Sequence, residues 1–169
     1  MDHQPFIIYL EQISRALKAG NATEHTHRPA LKQLIESLDS AITATNEPKR
    51  IACGAPDYIV TRGSLPLGYI EAKDLGADLD AVEISEQLQR YRAGLGNLLL
   101  TDYREFRWYV AGERRLTARL TEGSVSSLAE LLTQFLTVAA PLINTPRELA
   151  MRLAAQAQLL RGLIHQALG

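Results

Sequence analysis

Apolar and polar positions repeat along this chain with two periods, and the switches between them set out an order of elements. Residues 5–19 place Phe6, Ile7, Leu10, Ile13 and Leu17 at helical spacing, and Gly20-Asn21 supplies a stop. Residues 23–41 repeat the pattern with Leu31, Leu34, Ile35 and Leu38, behind Asn21 or Thr23 as a cap. Over 42–52, two short apolar pieces are broken by Asn46-Glu47-Pro48-Lys49-Arg50, which predicts irregular or edge structure. The period then becomes two. Tyr58-Ile59-Val60-Thr61 and Leu67-Gly68-Tyr69-Ile70 flank Arg62-Gly63-Ser64-Leu65-Pro66, the pattern of two strands and a hairpin loop.

The second half continues in kind. A polar connection, 74–80, leads to a helix predicted over 82–93, stopped by Gly94-Leu95-Gly96. Asn97-Leu98-Leu99-Leu100-Thr101 is a short continuous apolar run, the mark of a strand buried on both faces. Strands are predicted at 105–111 and 116–121, with Trp108 in the core, and a helix at 124–139. Thr145 and Pro146 open a last helix over 146–168. Alternating helices and strands predict an α/β domain, a mixed central β-sheet flanked by α-helices.

Composition narrows the function classes. A length of 169 residues suits one domain over 1–169, with 146–169 either closing it or connecting to a downstream module. No apolar run approaches the roughly 20 residues of a membrane span, so no membrane partner is expected. The first residues lack the pattern of a signal peptide, and the single Cys53 forms no internal disulfide; both fit a cytoplasmic protein. The net charge of −1 speaks against a binder of nucleic acid with an overall basic excess. If the chain meets DNA, its positive charge is gathered on one face or another domain supplies the affinity.

Chemistry is concentrated at 54–74, GAPDYIVTRGSLPLGYIEAKD. Glu71 and Lys73 are two apart on a strand and share a face, while Ile70 and Ala72 point the other way. The hairpin can bring Asp57 onto the same face. Two close carboxylates raise one another's pKa, a conflict that a hard divalent cation relieves. Spacing alone equally suits an ordinary hairpin with a surface Asp and an exposed Glu–Lys pair. Downstream, Gln87 and Tyr91 lie four apart on one helix face. His25 and His27, two apart and without a Cys pair, suit surface or phosphate contact better than zinc. Lys49 and Arg50 can touch DNA or simply line a solvated loop.

Pro56-Asp57 followed by Glu71-Ala72-Lys73 resembles the PD-(D/E)XK nuclease signature. The surroundings, Gly54-x-Pro56-Asp57-Tyr58, Gly68-Tyr69-Ile70-Glu71-Ala72-Lys73 and Gln87-x-x-x-Tyr91, are similar to the N-terminal nuclease domain of fused restriction–modification proteins of the type IIG/ISP-like kind. In those, an adenine-specific DNA methyltransferase follows in the same polypeptide. The resemblance covers roughly residues 20–110. It implies a restriction-endonuclease-like fold and a Mg²⁺-dependent endodeoxyribonuclease, with Mn²⁺ able to substitute, leaving a 5′-phosphate. Asp57, Glu71 and the Ala72 carbonyl would hold the metal, and Lys73 would orient the attacking water. Glu24 matches an additional metal-site carboxylate of the early helix, although a Glu there is also favoured by the helix dipole alone. Gln87 would assist at the site with Tyr91 supporting it, and Tyr91, Arg90, Arg92, Arg104 and Arg107 are the candidate DNA contacts. DNA, a methyltransferase and a target-recognition module are the implied partners, and double-strand cleavage would take a homodimer. Two other readings stay open: a DNA repair or end-processing nuclease, and a catalytically silent DNA-binding module of the same fold.

Overall fold

The computed structural model describes residues 3–20, 24–121 and 125–137, with Glu24 described by its backbone alone. The chain opens with α1 (Gln4–Ala19) and α2 (Glu24–Ser37). Gly20, at φ 71°, ends α1 and donates its N–H to the Leu17 carbonyl, a left-handed cap that glycine takes without a Cβ penalty. Six strands follow, β1 (Ile42–Asn46), β2 (Tyr58–Arg62), β3 (Leu65–Ala72), β4 (Asn97–Thr101), β5 (Glu105–Val110) and β6 (Glu113–Arg119). Two short helices, α3 (Leu79–Glu83) and α4 (Glu86–Gly94), lie between β3 and β4, and α5 (Val125–Thr137) comes last. The helix expected over 146–168 lies outside the described residues.

The strands stand in chain order, β1-β2-β3-β4-β5-β6, and every neighbouring pair is antiparallel except β3 and β4. That pair is parallel because α3 and α4 carry the chain back to the starting edge, the connection a parallel pair requires. β1 is the edge strand anticipated for 42–52. β6 starts at Glu113, three residues before the expected 116. Ala111 (φ 50°) and Gly112 (φ 82°) make a two-residue turn with both φ positive, tight enough for pairing to resume at once.

Both sheet faces are covered, as the unbroken apolar run of β4 predicts. On one, Tyr58, Val60, Ile70, Ala72, Leu99, Phe106 and Trp108 pack against α1, α2 and α5. On the other, Tyr69, Leu98, Leu100 and Tyr109 lie under α3 and α4, which contribute Leu79, Leu88, Tyr91 and Leu95. Trp108 is a core residue, and its indole N–H donates to Asn97 Oδ1 at 2.7 Å. The Asn97 amide in turn donates to the Leu67 and Phe135 carbonyls, pinning α5 to the sheet. The single helix expected over 82–93 is two helices. Ser85 takes an extended conformation, and its hydroxyl accepts from the Leu88 N–H to cap α4, as Asp78 caps α3. No helix among the described residues is long and apolar enough to cross a membrane.

Candidate active site

Strand alternation fixes the first two groups. Ile70 and Ala72 sink into the larger core, so Glu71 faces α4. Lys73 follows β3, and its N–H still bonds the Thr101 carbonyl at 2.8 Å, which carries the strand direction one residue further. Its ammonium reaches Glu71 Oε1 at 2.6 Å. Asp57 stands immediately before β2. Its Oδ2 accepts the Ala72 N–H at 2.8 Å, which binds the two halves of the hairpin at the level of Glu71.

Helix α4 completes the cluster. Gln87, in its first turn, donates to Glu71 Oε1 at 2.9 Å and accepts from Lys73 Nζ at 3.2 Å. Tyr91, one turn on, has its hydroxyl 3.4 Å from the Gln87 amide nitrogen. The Tyr91 ring is seated against Gly54 (φ 142°), where a Cβ would come within 2.7 Å of it. The structure therefore brings Asp57, Glu71, Lys73, Gln87 and Tyr91 into one connected network.

Electrostatics single out Glu71. Its side chain is 3% exposed, and Oε1 serves both Lys73 and Gln87. Oε2 is buried and meets no hydrogen-bond donor. Burial, then the neighbouring Asp57 carboxylate, push its pKa up to about 7, with Lys73 pulling the other way. A buried carboxylate with an orphaned oxygen beside a second carboxylate suits a hard divalent cation. Among the described residues no three His, Cys, Asp or Glu side chains cluster as metal ligands. A third protein donor would thus be a backbone carbonyl, such as that of Ala72, or Glu24, the first residue of α2, whose side chain is not described.

Arg28, absent from the sequence reading, is part of this site. It is 8% exposed, and its guanidinium reaches Asp57 Oδ1 at 2.8 Å, Glu47 at 2.9 Å and Asn46 at 3.2 Å. The Tyr58 hydroxyl donates to its backbone carbonyl at 3.0 Å. Both Asp57 oxygens are consequently held, one by a side chain and one by a main-chain amide. His27, expected at the surface, is 2% exposed instead and lies against Tyr103, with ring centroids 5.1 Å apart.

The candidate DNA contacts divide. Tyr91 is 2% exposed and takes part in the second core, so it supports Gln87 from within and offers no surface to DNA. Arg107 is also buried, paired with Glu105 at 2.7 Å and with Glu83 and Asp80 at 2.8 Å. Arg92 donates to the Gly112 carbonyl at 2.9 Å and lies over the Tyr109 ring. Tyr91 and Arg107 are buried within the structure, while Arg92, 24% exposed, is tied by one nitrogen to the loop after β5. Arg90 and Arg104 remain exposed, Arg90 beside Glu86 at 3.2 Å.

No protein-family model matches the chain, and no curated protein matches it. Among solved structures, a DrdV–DNA complex determined by cryo-electron microscopy is similar, with a TM-score of 0.68 and 22% identity. The match covers 83% of this chain and 14% of that one. The likeness is one of fold, and the restriction-endonuclease-like mixed sheet flanked by helices is the architecture of this chain.

Proposed function

We propose that this chain is a metal-dependent DNA endonuclease domain, the cleavage module of a restriction–modification system. One observation carries the reading. Glu71 is buried, raised toward neutrality and half-satisfied, and it stands among a second carboxylate, an ammonium and an amide aimed at the same point. A structural carboxylate would have both oxygens paired. The fold shared with a protein solved on DNA supports DNA as the substrate class. That the match spans a small part of the DrdV chain supports a domain working beside others, here a methyltransferase and a target-recognition module.

The residues present suit Mg²⁺ or Mn²⁺ held by Asp57, Glu71 and the Ala72 carbonyl, with Glu24 as a further donor. Such an ion supplies Lewis acidity toward a phosphoryl oxygen and an acidified water. The chain does the rest. Arg28 and the Ala72 amide fix the Asp57 carboxylate, so it need not reorganise when substrate arrives. Lys73 places positive charge where negative charge develops on the phosphorus centre, and it orients the attacking water. Gln87 holds Lys73 and Glu71 in mutual register.

Supercoiled-plasmid nicking with Mg²⁺ or Mn²⁺ tests the reading. We expect nicking by the wild type and none by Asp57→Ala or Lys73→Ala. Equal nicking by all three proteins would remove Asp57 and Lys73 from the site.

A further inference from the structure

Exposed positive charge is distributed unequally around the site. On the far side of β4, a cavity of about 350 Å³ holds Arg104, Arg107 and Arg119, but Asp78, Asp80, Asp102 and Glu105 line it too. Arg107 and Arg119 are spent on Glu105 within it. A phosphate backbone entering there would meet more carboxylates than free cations.

The other rim is built differently. The segment from Glu47 to Asp57 runs along the site between α2 and α4 and is anchored at both ends. Glu47 is held by Arg28, and its N–H bonds the Asp57 carbonyl at 2.8 Å. Farther on, Ile51 and Gly54 exchange two backbone hydrogen bonds, and Gly54 abuts Tyr91. Cys53 abuts Gly94, where a Cβ would come within 2.7 Å of it. Between the anchors, Lys49 and Arg50 stand exposed, with no ion pair among the described residues. Arg90 joins them from α4; burial raises the Cys53 pKa, and the Arg90 charge is close enough to offset part of that rise. It lies three residues after Gln87, on the neighbouring part of the helix face. Its partner Glu86 is 92% exposed, so that pair holds little energy and can yield to a phosphate.

We infer that Lys49, Arg50 and Arg90 form the surface that receives the DNA backbone, so that the duplex crosses the site over the 47–54 segment and α4 and not over the arginines of β5 and β6. This rests on the reading of the chain as a DNA-acting domain. Of the candidate contacts named from the sequence it keeps Arg90, sets aside Tyr91, Arg92, Arg104 and Arg107, and takes Lys49 and Arg50 as contacts and not as a merely solvated loop.

The test is fluorescence anisotropy with a labelled 25-base-pair duplex in EDTA, over a series of NaCl concentrations. The proteins are the wild type, Lys49→Glu/Arg50→Glu and Arg104→Glu/Arg115→Glu. All four changed side chains are exposed, and matching thermal transitions would verify folding. We expect the 49/50 variant to bind about tenfold more weakly. Its slope of log K against log salt should be shallower by about 1 to 2, since each phosphate contact contributes about 0.9. The 104/115 variant should stay within about twofold of wild type at equal salt. An unchanged slope in the 49/50 variant overturns the inference, as does a larger loss in the 104/115 variant or no salt-dependent binding by wild type. Because the readout needs no metal and no cleavage, it separates from the nicking assay. Nicking by wild type with an insensitive 49/50 variant removes this surface and keeps the nuclease. The reverse pair of results removes the nuclease and keeps the surface.

Discussion

Two buried glutamates lie on the same side of the sheet, each among cations, and they have opposite characters. Glu105 is 7% exposed, with one oxygen on Arg107 and the other on Arg119. Burial pushes its pKa up, but the hydrogen bonds and charges of Arg119 and Arg107 outweigh this, and the net shift is downward. Glu71 is 3% exposed, shares one oxygen between Lys73 and Gln87 and leaves the other without a donor. It also faces Asp57, and its net shift is upward, to about 7. Burial is common to both; what differs is whether each lone pair has been answered. The first arrangement is a finished structural network. The second leaves a buried oxygen without a donor, which structure alone does not require.

Exchanging each glutamate for its neutral isostere should separate the two most sharply. Glu71→Gln should lower metal-dependent nicking by about 10²–10³-fold or more, in the range for removing one transition-state group, with thermal stability equal or higher. Glu105→Gln should do the opposite. Arg107 would keep Glu83 and Asp80 but lose its charged hydrogen bond to Glu105, which should cost about 1–3 kcal/mol by urea titration, while nicking per folded molecule is retained. Loss of stability in the first variant and of activity in the second would reverse the assignment.

The pH dependence gives effects of opposite sign at the two sites. Glu71 has a folded pKa above its ordinary 4.5, so between 4.5 and about 7 the folded state holds a proton that the unfolded state has released. Its contribution to stability is therefore present below 4.5 and lost as pH rises through 7, a change on the order of 3 kcal/mol. Glu105, with its pKa lowered, contributes stability above 4.5 that is lost as pH falls through its folded value. Urea midpoints from pH 4 to 8 should converge for wild type and Glu71→Gln at the acidic end and separate toward pH 8. A gap independent of pH would mean that Glu71 titrates normally.

The smallest effect concerns the support behind Glu71. Tyr91→Phe removes a long 3.4 Å hydrogen bond to Gln87 and leaves the ring seated on Gly54. Nicking should fall a few-fold and stability by about 1 kcal/mol or less. A loss as large as that of Glu71→Gln would place the Tyr91 hydroxyl in contact with the reacting groups.

What the sequence disclosed and what it hid follow one rule, the distance along the chain over which a contact acts. Asp57, Glu71 and Lys73 are joined by one hairpin, and Gln87 and Tyr91 by one helical turn, so strand and helix periodicity suffices to bring each set together. The strands, too, are legible from alternation and turn residues, except that Leu65 and Pro66, expected in the hairpin loop, belong to β3 and that β6 begins at Glu113. Arg28 reaches Asp57 across 29 positions, and Arg107 reaches Glu83 across 24, in elements whose docking no local pattern expresses. Arginines counted as free for DNA were for that reason overcounted. The break between α3 and α4 carried a local signal, Ser85 before Glu86, which the continuous helical periodicity of 82–93 overrode.

The sheet order has a consequence for how the molecule assembles. Three of the neighbouring pairs, β2–β3, β4–β5 and β5–β6, close through turns of two or three residues and need little loop entropy to form, while β1 joins β2 through the longer 47–57 segment. Joining β3 to β4 requires the whole α3–α4 segment to fold over the sheet first, which makes it the natural late step. Gln87 arrives with that segment, whereas Asp57, Glu71 and Lys73 belong to the early hairpin. A chain caught halfway through folding would carry the acidic pair without the amide that holds Lys73 in register. Competence at this centre would then mark completion of the slowest docking event, and the rate at which activity returns after dilution from denaturant should follow that event and not the formation of the hairpins.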